Sequence, residues 1–188
     1  MNAIEKNYWN TFYKDTIIPR EPSPFALFIN NYFNTLSLNI LDCGCGNGRD
    51  SYYFANKHTV LGIDTSCKPN NTNNCSFIVE DFCKFNKEKY NLVYSRFTFH
   101  SITNEQQNEF IKSIKKDTYL CIETRSDKSK DINKVHGDTH YRNYTNIDYL
   151  EKLLKKNNFK IIFLEEKNGF AKYKDEDPYC IRLIAKKN

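Results

Sequence analysis

The chain has 188 residues, which is enough for one domain with a sizeable core and too few for two ordinary ones, so we predict a single domain over residues 1–188. Charged residues make up 27 % of it and both signs are interspersed, which excludes a disordered chain. No apolar run approaches the ~20 residues that span a bilayer. The opening MNAIEKNYWNTFYKD lacks the apolar segment of a signal peptide, so we expect a cytoplasmic protein without a membrane partner. The net charge of +5 is spread along the chain and does not indicate nucleic acid.

The seven cysteines are odd in number and scattered, which fits a reducing compartment better than a disulfide framework. Cys43 and Cys45 are the only close pair, and no second pair completes a zinc site.

Taken in chain order, short apolar strands alternate with amphipathic stretches, which predicts an α/β fold with a largely parallel sheet. The predicted elements are helix Ile4–Lys14, helix Phe25–Thr35, strand Asn39–Cys43, helix Arg49–Asn56, strand Thr59–Ile63, strand Ser76–Val79, strand Leu92–Arg96, helix Asn104–Lys115, strand Tyr119–Glu123, helix Ile147–Lys156, strand Lys160–Leu164 and strand Tyr179–Ala185. The polar segment Thr124–Tyr144 has little periodicity, and a loop of that length inside a compact domain is usually functional or else wrongly assigned as a loop.

A glycine-rich loop follows the first strand and precedes a helix, in the segment Leu41-Asp42-Cys43-Gly44-Cys45-Gly46-Asn47-Gly48. Its spacing is G-x-G-x-G, not the G-x-G-x-x-G of nicotinamide and flavin binders. Asp42 would repel a pyrophosphate but suits an ammonium group. S-adenosylmethionine (SAM) carries an ammonium and a sulfonium and no phosphate, so it is the better electrostatic match.

Acidic residues also close the next two strands. Asp64 ends the second strand, where a carboxylate can accept both ribose hydroxyls of an adenosine. Asp81 follows the third strand and can accept from the adenine amino group, while Phe82 or its neighbours pack on the ring. Three acidic strand ends at one sheet edge form a single constellation at a topological switch point.

On these residues the chain resembles the class I SAM-dependent methyltransferase family over essentially its whole length. The resemblance implies a Rossmann-like sheet of seven mostly parallel strands in the order 3-2-1-4-5-7-6, with the last strand antiparallel. It also implies that the N-terminal aromatics cover the cofactor or else cap the core, and that Arg20 reaches the methionine carboxylate. The predicted cofactor-binding residues are Trp9, Tyr13, Arg20, Asp42, Gly44, Cys45, Gly46, Asn47, Asp50, Asp64, Thr65, Asp81, Phe82, Arg96 and Phe97.

In this family the segment after the fourth strand faces the transferring methyl group, and here that segment contains His100. An imidazole with a near-neutral pKa can take a proton from an attacking hydroxyl, so we predict His100 as base or orienting group. The alternative is a histidine that hydrogen-bonds a backbone carbonyl. The N-P-P-Y type motif of amide and adenine methyltransferases is lacking.

The long polar segment adds imidazole and guanidinium groups that suit a polar or anionic acceptor. The predicted acceptor-binding residues are Arg125, His136, His140, Tyr141 and Arg142. His136, Asp138 and His140 would share one face of an extended strand, where a divalent metal could bind, but a polar lid without metal is the prediction.

The same segment and the opening of the chain resemble small methyltransferases of surface-glycan pathways. This resemblance implies O-methylation of a sugar, a sugar phosphate or a small anionic precursor. Two alternatives stay open: a tRNA or rRNA methyltransferase, which salt-dependent RNA binding would favour, and a SAM-binding protein without transferase activity, which would bind SAM without turnover.

Overall fold

The computed structural model describes Tyr8, Thr11 and residues 21–66, 68–129, 141–173 and 175–188. Its seven strands form one sheet in the order β3-β2-β1-β4-β5-β7-β6. The strands are β1 (Asn39–Cys43), β2 (Thr59–Asp64), β3 (Cys75–Val79), β4 (Leu92–Arg96), β5 (Tyr119–Arg125), β6 (Phe159–Lys167) and β7 (Cys180–Lys187). Neighbours from β3 to β5 pair parallel, whereas β7 pairs antiparallel with both β5 and β6. The predicted fold class and strand order are therefore confirmed.

Three of the four helices given below begin at a side chain that satisfies one of their first backbone N–H groups. The Ser23 hydroxyl accepts from Ala26 at the start of α1, and Thr103 and Gln106 form a capping box at α3. The helices are α1 (Pro24–Tyr32), α2 (Arg49–Phe54), α3 (Asn104–Lys112) and α4 (Ile147–Lys156), with short 3₁₀ turns at Phe99–Ser101 and Asp127–Ser129.

The sheet is covered on both faces, because apolar side chains alternate along its strands. Helices α3 and α4 pack Phe110, Leu150 and Leu154 into one core cluster. Helices α1 and α2 pack Phe25 and Phe54 into the other cluster. A sheet covered in this way leaves its carboxyl-terminal edge as the place where a ligand can reach strand ends.

Several strands run further than the sequence predicted, among them β5 and β6. Strand β5 continues to Arg125 and β6 to Lys167, because both residues pair with Cys180 on β7. Thr124 and Arg125 therefore belong to a strand and not to the predicted loop. The predicted helix Ile4–Lys14 lies outside the described residues except for Tyr8 and Thr11, both of which are helical.

None of the helices within the described ranges is long and apolar enough to cross a membrane. A single domain over residues 1–188 and a cytoplasmic location stay predictions.

Candidate active site

The glycine loop between β1 and α2 folds back over the end of β2. The backbone N–H groups of Gly44 and Cys45 donate to the Ile63 carbonyl at 2.7 and 3.0 Å. Gly44 has φ of +76°, and a Cβ there would lie 1.9 Å from the Thr98 methyl carbon. Only glycine fits this close approach of the loop to the segment after β4, so the predicted tight turn is present.

Asp42 is nearly inaccessible to water at the end of β1. Its Oδ2 accepts a hydrogen bond from the Ser51 hydroxyl at 2.5 Å. Burial, with the carboxylates of Asp50 and Asp64 nearby, raises the pKa of Asp42 to about 7. A cationic ligand beside Asp42 would favour its ionised form, which suits the ammonium group that we predicted there.

Asp64 joins the glycine loop to the end of β2. Its Oδ2 accepts from the Gly46 N–H at 3.0 Å, and its Oδ1 accepts from the Ser66 N–H and hydroxyl at 2.9 and 2.6 Å. The neighbouring Thr65 is half-buried at the same strand end. The carboxylate therefore lies at the sheet edge beside the loop, where the sequence predicted ribose recognition.

Asp81 and Phe82 form the turn after β3. Asp81 Oδ1 accepts from the Cys83 N–H at 3.0 Å, and the Asp81 carbonyl accepts from Lys84 and Phe85. The Phe82 ring packs edge-on against Phe110 in the core, with centroids 5.6 Å apart. The Phe82 ring therefore faces the core, and its predicted packing on an adenine ring has no support from this geometry.

Asp50 fixes α1 against α2. Its Oδ1 accepts from the Ser23 N–H at 2.7 Å, and its Oδ2 accepts from the Ser23 and Tyr94 hydroxyls at 2.7 and 2.8 Å. Both oxygens of this buried carboxylate thus already have partners, so the geometry explains Asp50 as a structural residue. Its predicted role toward the cofactor stays a prediction.

Charges of alternating sign lie in one row across the sheet. Arg96 on β4 donates through Nε to Glu123 at 2.9 Å, and Arg182 on β7 donates to the other Glu123 oxygen at 2.7 Å. Glu123 is fully buried, and strand register places it beside both arginines. Glu123 therefore holds two guanidinium groups, one from each neighbouring strand.

Phe97 follows β4 in a left-handed backbone conformation with φ of +56°. Its N–H donates to the Glu123 carbonyl at 2.8 Å. The Arg96 and Arg125 guanidinium carbons lie 4.4 and 5.6 Å from its ring centroid, and the His100 ring is 5.8 Å away. Such backbone strain in a bulky residue is concentrated at functional sites, and here it turns the chain where the methyl group would be transferred.

His100 is buried beside the end of β5. Its Nδ1 accepts from the Arg125 N–H at 3.3 Å and lies 3.3 Å from the Thr124 hydroxyl. Its carbonyl accepts from the Asn143 N–H at 2.7 Å. This hydrogen bond attaches the segment before α4 to the segment after β4. An accepting Nδ1 places the proton of a neutral imidazole on Nε2. The ring is therefore arranged to donate a hydrogen bond, the orienting alternative of our prediction.

Arg125 is paired with Glu176, and both side chains are nearly inaccessible to water. Glu176 comes from the connection between β6 and β7, which sequence reasoning did not include in the site. Arg142 lowers the pKa of Tyr8, which burial raises, so these two side chains lie near each other. Tyr141 is exposed.

The remaining predicted residues divide between this edge and the undescribed parts. Within the glycine loop, the side chain of Cys45 is buried, and Asn47 Oδ1 accepts from the Arg49 N–H at 3.4 Å. Within the described ranges no group of His, Cys, Asp and Glu could hold a metal ion. Trp9, Tyr13, Arg20, His136, Asp138 and His140 lie outside the described residues.

A family model described as a methyltransferase domain matches residues 17–164. The chain belongs to this methyltransferase family. It is a SAM-dependent methyltransferase, and the predicted activity and cofactor are confirmed. Among curated proteins none matches the chain.

Solved structures of other methyltransferases share its fold. The 1,6-didemethyltoxoflavin-N1-methyltransferase of Burkholderia thailandensis, with bound S-adenosylhomocysteine (SAH), is 15 % identical with a TM-score of 0.76, over 99 % of this chain and 88 % of that one. A SAM-dependent methyltransferase of Anabaena variabilis is 17 % identical, with a TM-score of 0.73, over 100 % and 96 % of the chains. The magnesium protoporphyrin IX methyltransferase of Synechocystis, with bound SAM, is 16 % identical with a TM-score of 0.65, over 100 % and 85 %. At these identities the likeness concerns the fold alone. The resemblance to glycan-pathway methyltransferases gains no support from these comparisons.

Proposed function

We propose that this methyltransferase transfers the SAM methyl group to a hydroxyl oxygen of a small polar acceptor, a sugar or sugar phosphate. The observation that carries the proposal is the polar lining of the acceptor edge at the ends of β4 and β5. His100, Arg125 and Glu176 converge there beside Phe97. A hydroxylated acceptor can exchange hydrogen bonds with such groups, which an apolar acceptor cannot do.

The pairing of Arg125 with Glu176 favours hydroxyl recognition at this point. The two charges cancel, and the pair still offers guanidinium N–H donors and a carboxylate acceptor. Arg142 adds a cation near Tyr8 at the same edge. A phosphate or carboxylate elsewhere on the acceptor could be bound by the Arg142 guanidinium group.

His100 acts in this proposal as an orienting donor. Because Nδ1 accepts from the Arg125 N–H, the Nε2 proton is the one offered to the acceptor oxygen. Methyl transfer is an in-line displacement that needs the acceptor oxygen and the methyl carbon close to collinear. Holding that geometry supplies much of the rate.

The test is release of SAH by the purified protein, measured over a panel of sugars, sugar phosphates, catechols, carboxylic acids and amines. The proposal expects turnover with a hydroxylated acceptor of the first two classes. Turnover with a nitrogen or an aromatic acceptor alone would overturn it. RNA fragments belong in the same panel, because activity confined to them would support the tRNA or rRNA alternative.

Two His100 variants distinguish orienting from basic action once an acceptor is known. His100→Ala is expected to lower turnover by ~10²-fold with SAM affinity nearly intact. His100→Gln places an amide N–H near the position of Nε2 and is expected to recover part of that loss. Loss in the Gln variant equal to that in the Ala variant, with a pH profile set by one ionisation, would assign a general base instead. Unchanged turnover in both variants would remove His100 from the mechanism.

A further inference from the structure

Lysines that are far apart in the chain meet at the amino-terminal edge of the sheet, opposite to the candidate active site. At this edge α3 leads into β5, α4 leads into β6, and β7 ends. The Asp117 N–H donates to the Lys187 carbonyl at 2.9 Å, and the Asn188 N–H donates to the Asn158 carbonyl at 2.9 Å, so both connections are held against the end of β7. The lysines that we call the basic edge are Lys112, Lys115, Lys116, Lys155, Lys156, Lys160, Lys186 and Lys187.

Nearby carboxylates compensate only part of the positive charge of the basic edge. Six of its eight lysines are exposed, and Lys186 and Lys187 are partly buried. The Lys155 Nζ lies 3.0 Å from a Glu151 oxygen, and the Lys186 Nζ lies 3.4 Å from an Asp117 oxygen. Among the described residues, no other ion pair involves a lysine of the basic edge. The surface therefore carries a positive charge that an external anion can neutralise.

Strand register holds two of these lysines directly opposite each other. Lys160 on β6 pairs with Lys186 on β7 in the antiparallel ladder, so their side chains share one face of the sheet. On the other face, the Lys187 Nζ lies 4.8 Å from the Phe159 ring centroid. Like charges directly opposite on a sheet destabilise it. An anion bound at this edge would relieve that repulsion.

The composition of the basic edge favours the phosphates of nucleic acid as the anion. Lysines neutralise phosphates in nucleic-acid complexes, whereas the cores of protein interfaces are enriched in arginine and aromatic residues and depleted of lysine. Among the described residues, the exposed large apolar side chains all lie outside residues 112–117, 155–160 and 186–188, so the basic edge has none to insert into a lipid surface. We propose that the basic edge binds the phosphate backbone of nucleic acid without regard to base sequence.

The position of the basic edge makes nucleic acid a docking partner and not the methyl acceptor. Strand β5 runs from Tyr119 at this edge to Arg125 at the candidate active site, a rise of roughly 20 Å at about 3.3 Å per residue. A strand bound at the basic edge therefore does not present its bases to the methyl group. The inference is independent of the proposed acceptor. The charge of the chain alone did not indicate nucleic acid, because the lysines are spread along the sequence and converge only in the fold.

The test is the affinity of the purified protein for a fluorescently labelled RNA of mixed sequence and about 20 nucleotides, measured at several salt concentrations. We expect a Kd of roughly 1–100 µM near physiological salt, which is the range of sequence-independent binding. The double variant Lys116→Gln with Lys160→Gln is expected to raise this Kd by roughly 10-fold and to lower the salt slope by about 1.4, at about 0.7 per lost phosphate contact. Oligouridine and single-stranded DNA of the same length are expected to bind within a few-fold of the mixed RNA, because phosphate contacts do not read bases.

The matched control is Lys68→Gln with Lys172→Gln, which removes the same charge from two exposed lysines near the carboxyl-terminal edge. Its RNA affinity and salt slope are expected to stay close to those of wild type. The basic-edge variant is expected to keep the wild-type Kd for SAH and the wild-type unfolding midpoint, since both of its substituted side chains are exposed.

Three outcomes would overturn the proposal. Equal weakening in the two double variants would mean that net charge alone drives binding. A loss confined to the Lys68 and Lys172 variant would place the RNA at the candidate active site and support the tRNA or rRNA alternative. A wild-type protein that does not bind the RNA, while it binds vesicles of phosphatidylserine and phosphatidylcholine or binds neither, would remove nucleic acid as the partner. None of these outcomes bears on turnover with sugars or sugar phosphates.

Discussion

Asp42 is expected to lower the free energy of unfolding of the ligand-free protein and to raise its affinity for the cofactor. Its pKa rises from 3.8 to about 7, chiefly because burial disfavours the charged form. Between these values the folded protein holds a proton that the unfolded chain releases, so stability falls as pH rises through this window. At 1.36 kcal/mol per pH unit, the cost above pH 7 is at most about 4 kcal/mol. The substitution Asp42→Asn removes the ionisation and keeps an oxygen that can accept from Ser51.

The assay is thermal unfolding of the ligand-free protein from about pH 4 to pH 8, within which the titration occurs. Asp42→Asn is expected to unfold at a higher temperature at pH 8, by at most roughly 8–16 °C at 2–4 °C per kcal/mol. The gain shrinks as pH falls and is small near pH 4, where wild-type Asp42 is protonated in the folded protein and about half protonated in the unfolded chain. The same variant is expected to bind SAM more weakly, because the amino group loses its anionic partner.

Asp50→Asn is the matched control, since it makes the same chemical change to a neighbouring buried carboxylate. Both Asp50 oxygens accept from Ser23 or Tyr94, so an amide would turn N–H groups toward donors. This variant is expected to lose about 1–3 kcal/mol. A gain of stability in Asp42→Asn that is equal at every pH would refute the reasoning about Asp42. A loss of stability like that of Asp50→Asn would refute it as well.

Three other substitutions test the packing around the site by chemical or thermal unfolding. Lys87 is fully buried, and its Nζ donates to the Phe85 carbonyl. Because burial lowers the pKa of Lys87, Lys87→Met is expected to stabilise the folded protein by about 1 kcal/mol near neutral pH. Because the lowered pKa makes wild-type stability rise toward pH 10.5, this gain should shrink at alkaline pH, and a gain independent of pH would contradict it. Gly62→Ala places a Cβ 2.5 Å from the Phe77 ring and is expected to lower the free energy of unfolding by about 1–3 kcal/mol. An unchanged unfolding midpoint would mean that the ring moves freely. Thr103→Ala removes the capping box of α3 and is expected to cost about 1 kcal/mol, with Thr103→Ser, which keeps a hydroxyl, as the control that should lose much less.

The sheet could be predicted from the sequence because each strand is a short apolar run between turn residues. The ends of the strands were harder to predict, because they depend on a partner strand that is distant in the chain. Arg125 extends β5 only because Cys180 pairs with it, and Lys167 extends β6 for the same reason. The order of the strands came from the family resemblance and not from periodicity.

The geometry at the glycine-loop edge could be predicted from the sequence because it is local. The glycine loop and the acids that close β2 and β3 follow strands directly, so position in the chain gives position in space. Asp50 shows the limit of this reasoning, because nothing near it in sequence reveals that Ser23 and Tyr94 occupy its carboxylate.

The acceptor half was only partly predicted because its charges pair across long separations. Glu176 lies in an acidic run that is typical of a solvated loop, yet it is buried against Arg125. Arg182 carried a usable signal, since it is a charged residue flanked by Ile181 and Leu183 in an apolar strand. Such a position predicts a buried partner, which here is Glu123.

The two halves of the site differ in how their charges are compensated, and this difference fits the chemistry. The acceptor edge holds carboxylates already matched by guanidinium groups in the pairs of Arg125 with Glu176 and of Glu123 with Arg96 and Arg182. Charges fixed in this way need little rearrangement when negative charge develops on an attacking oxygen. Burial chiefly keeps the pKa of Asp42 high in the ligand-free protein, and we propose that the cofactor supplies the cation that favours its charged form. Ligand-dependent ionisation is therefore expected at Asp42, where SAM binding would release a proton near pH 7, while the acceptor edge keeps its charges throughout the reaction.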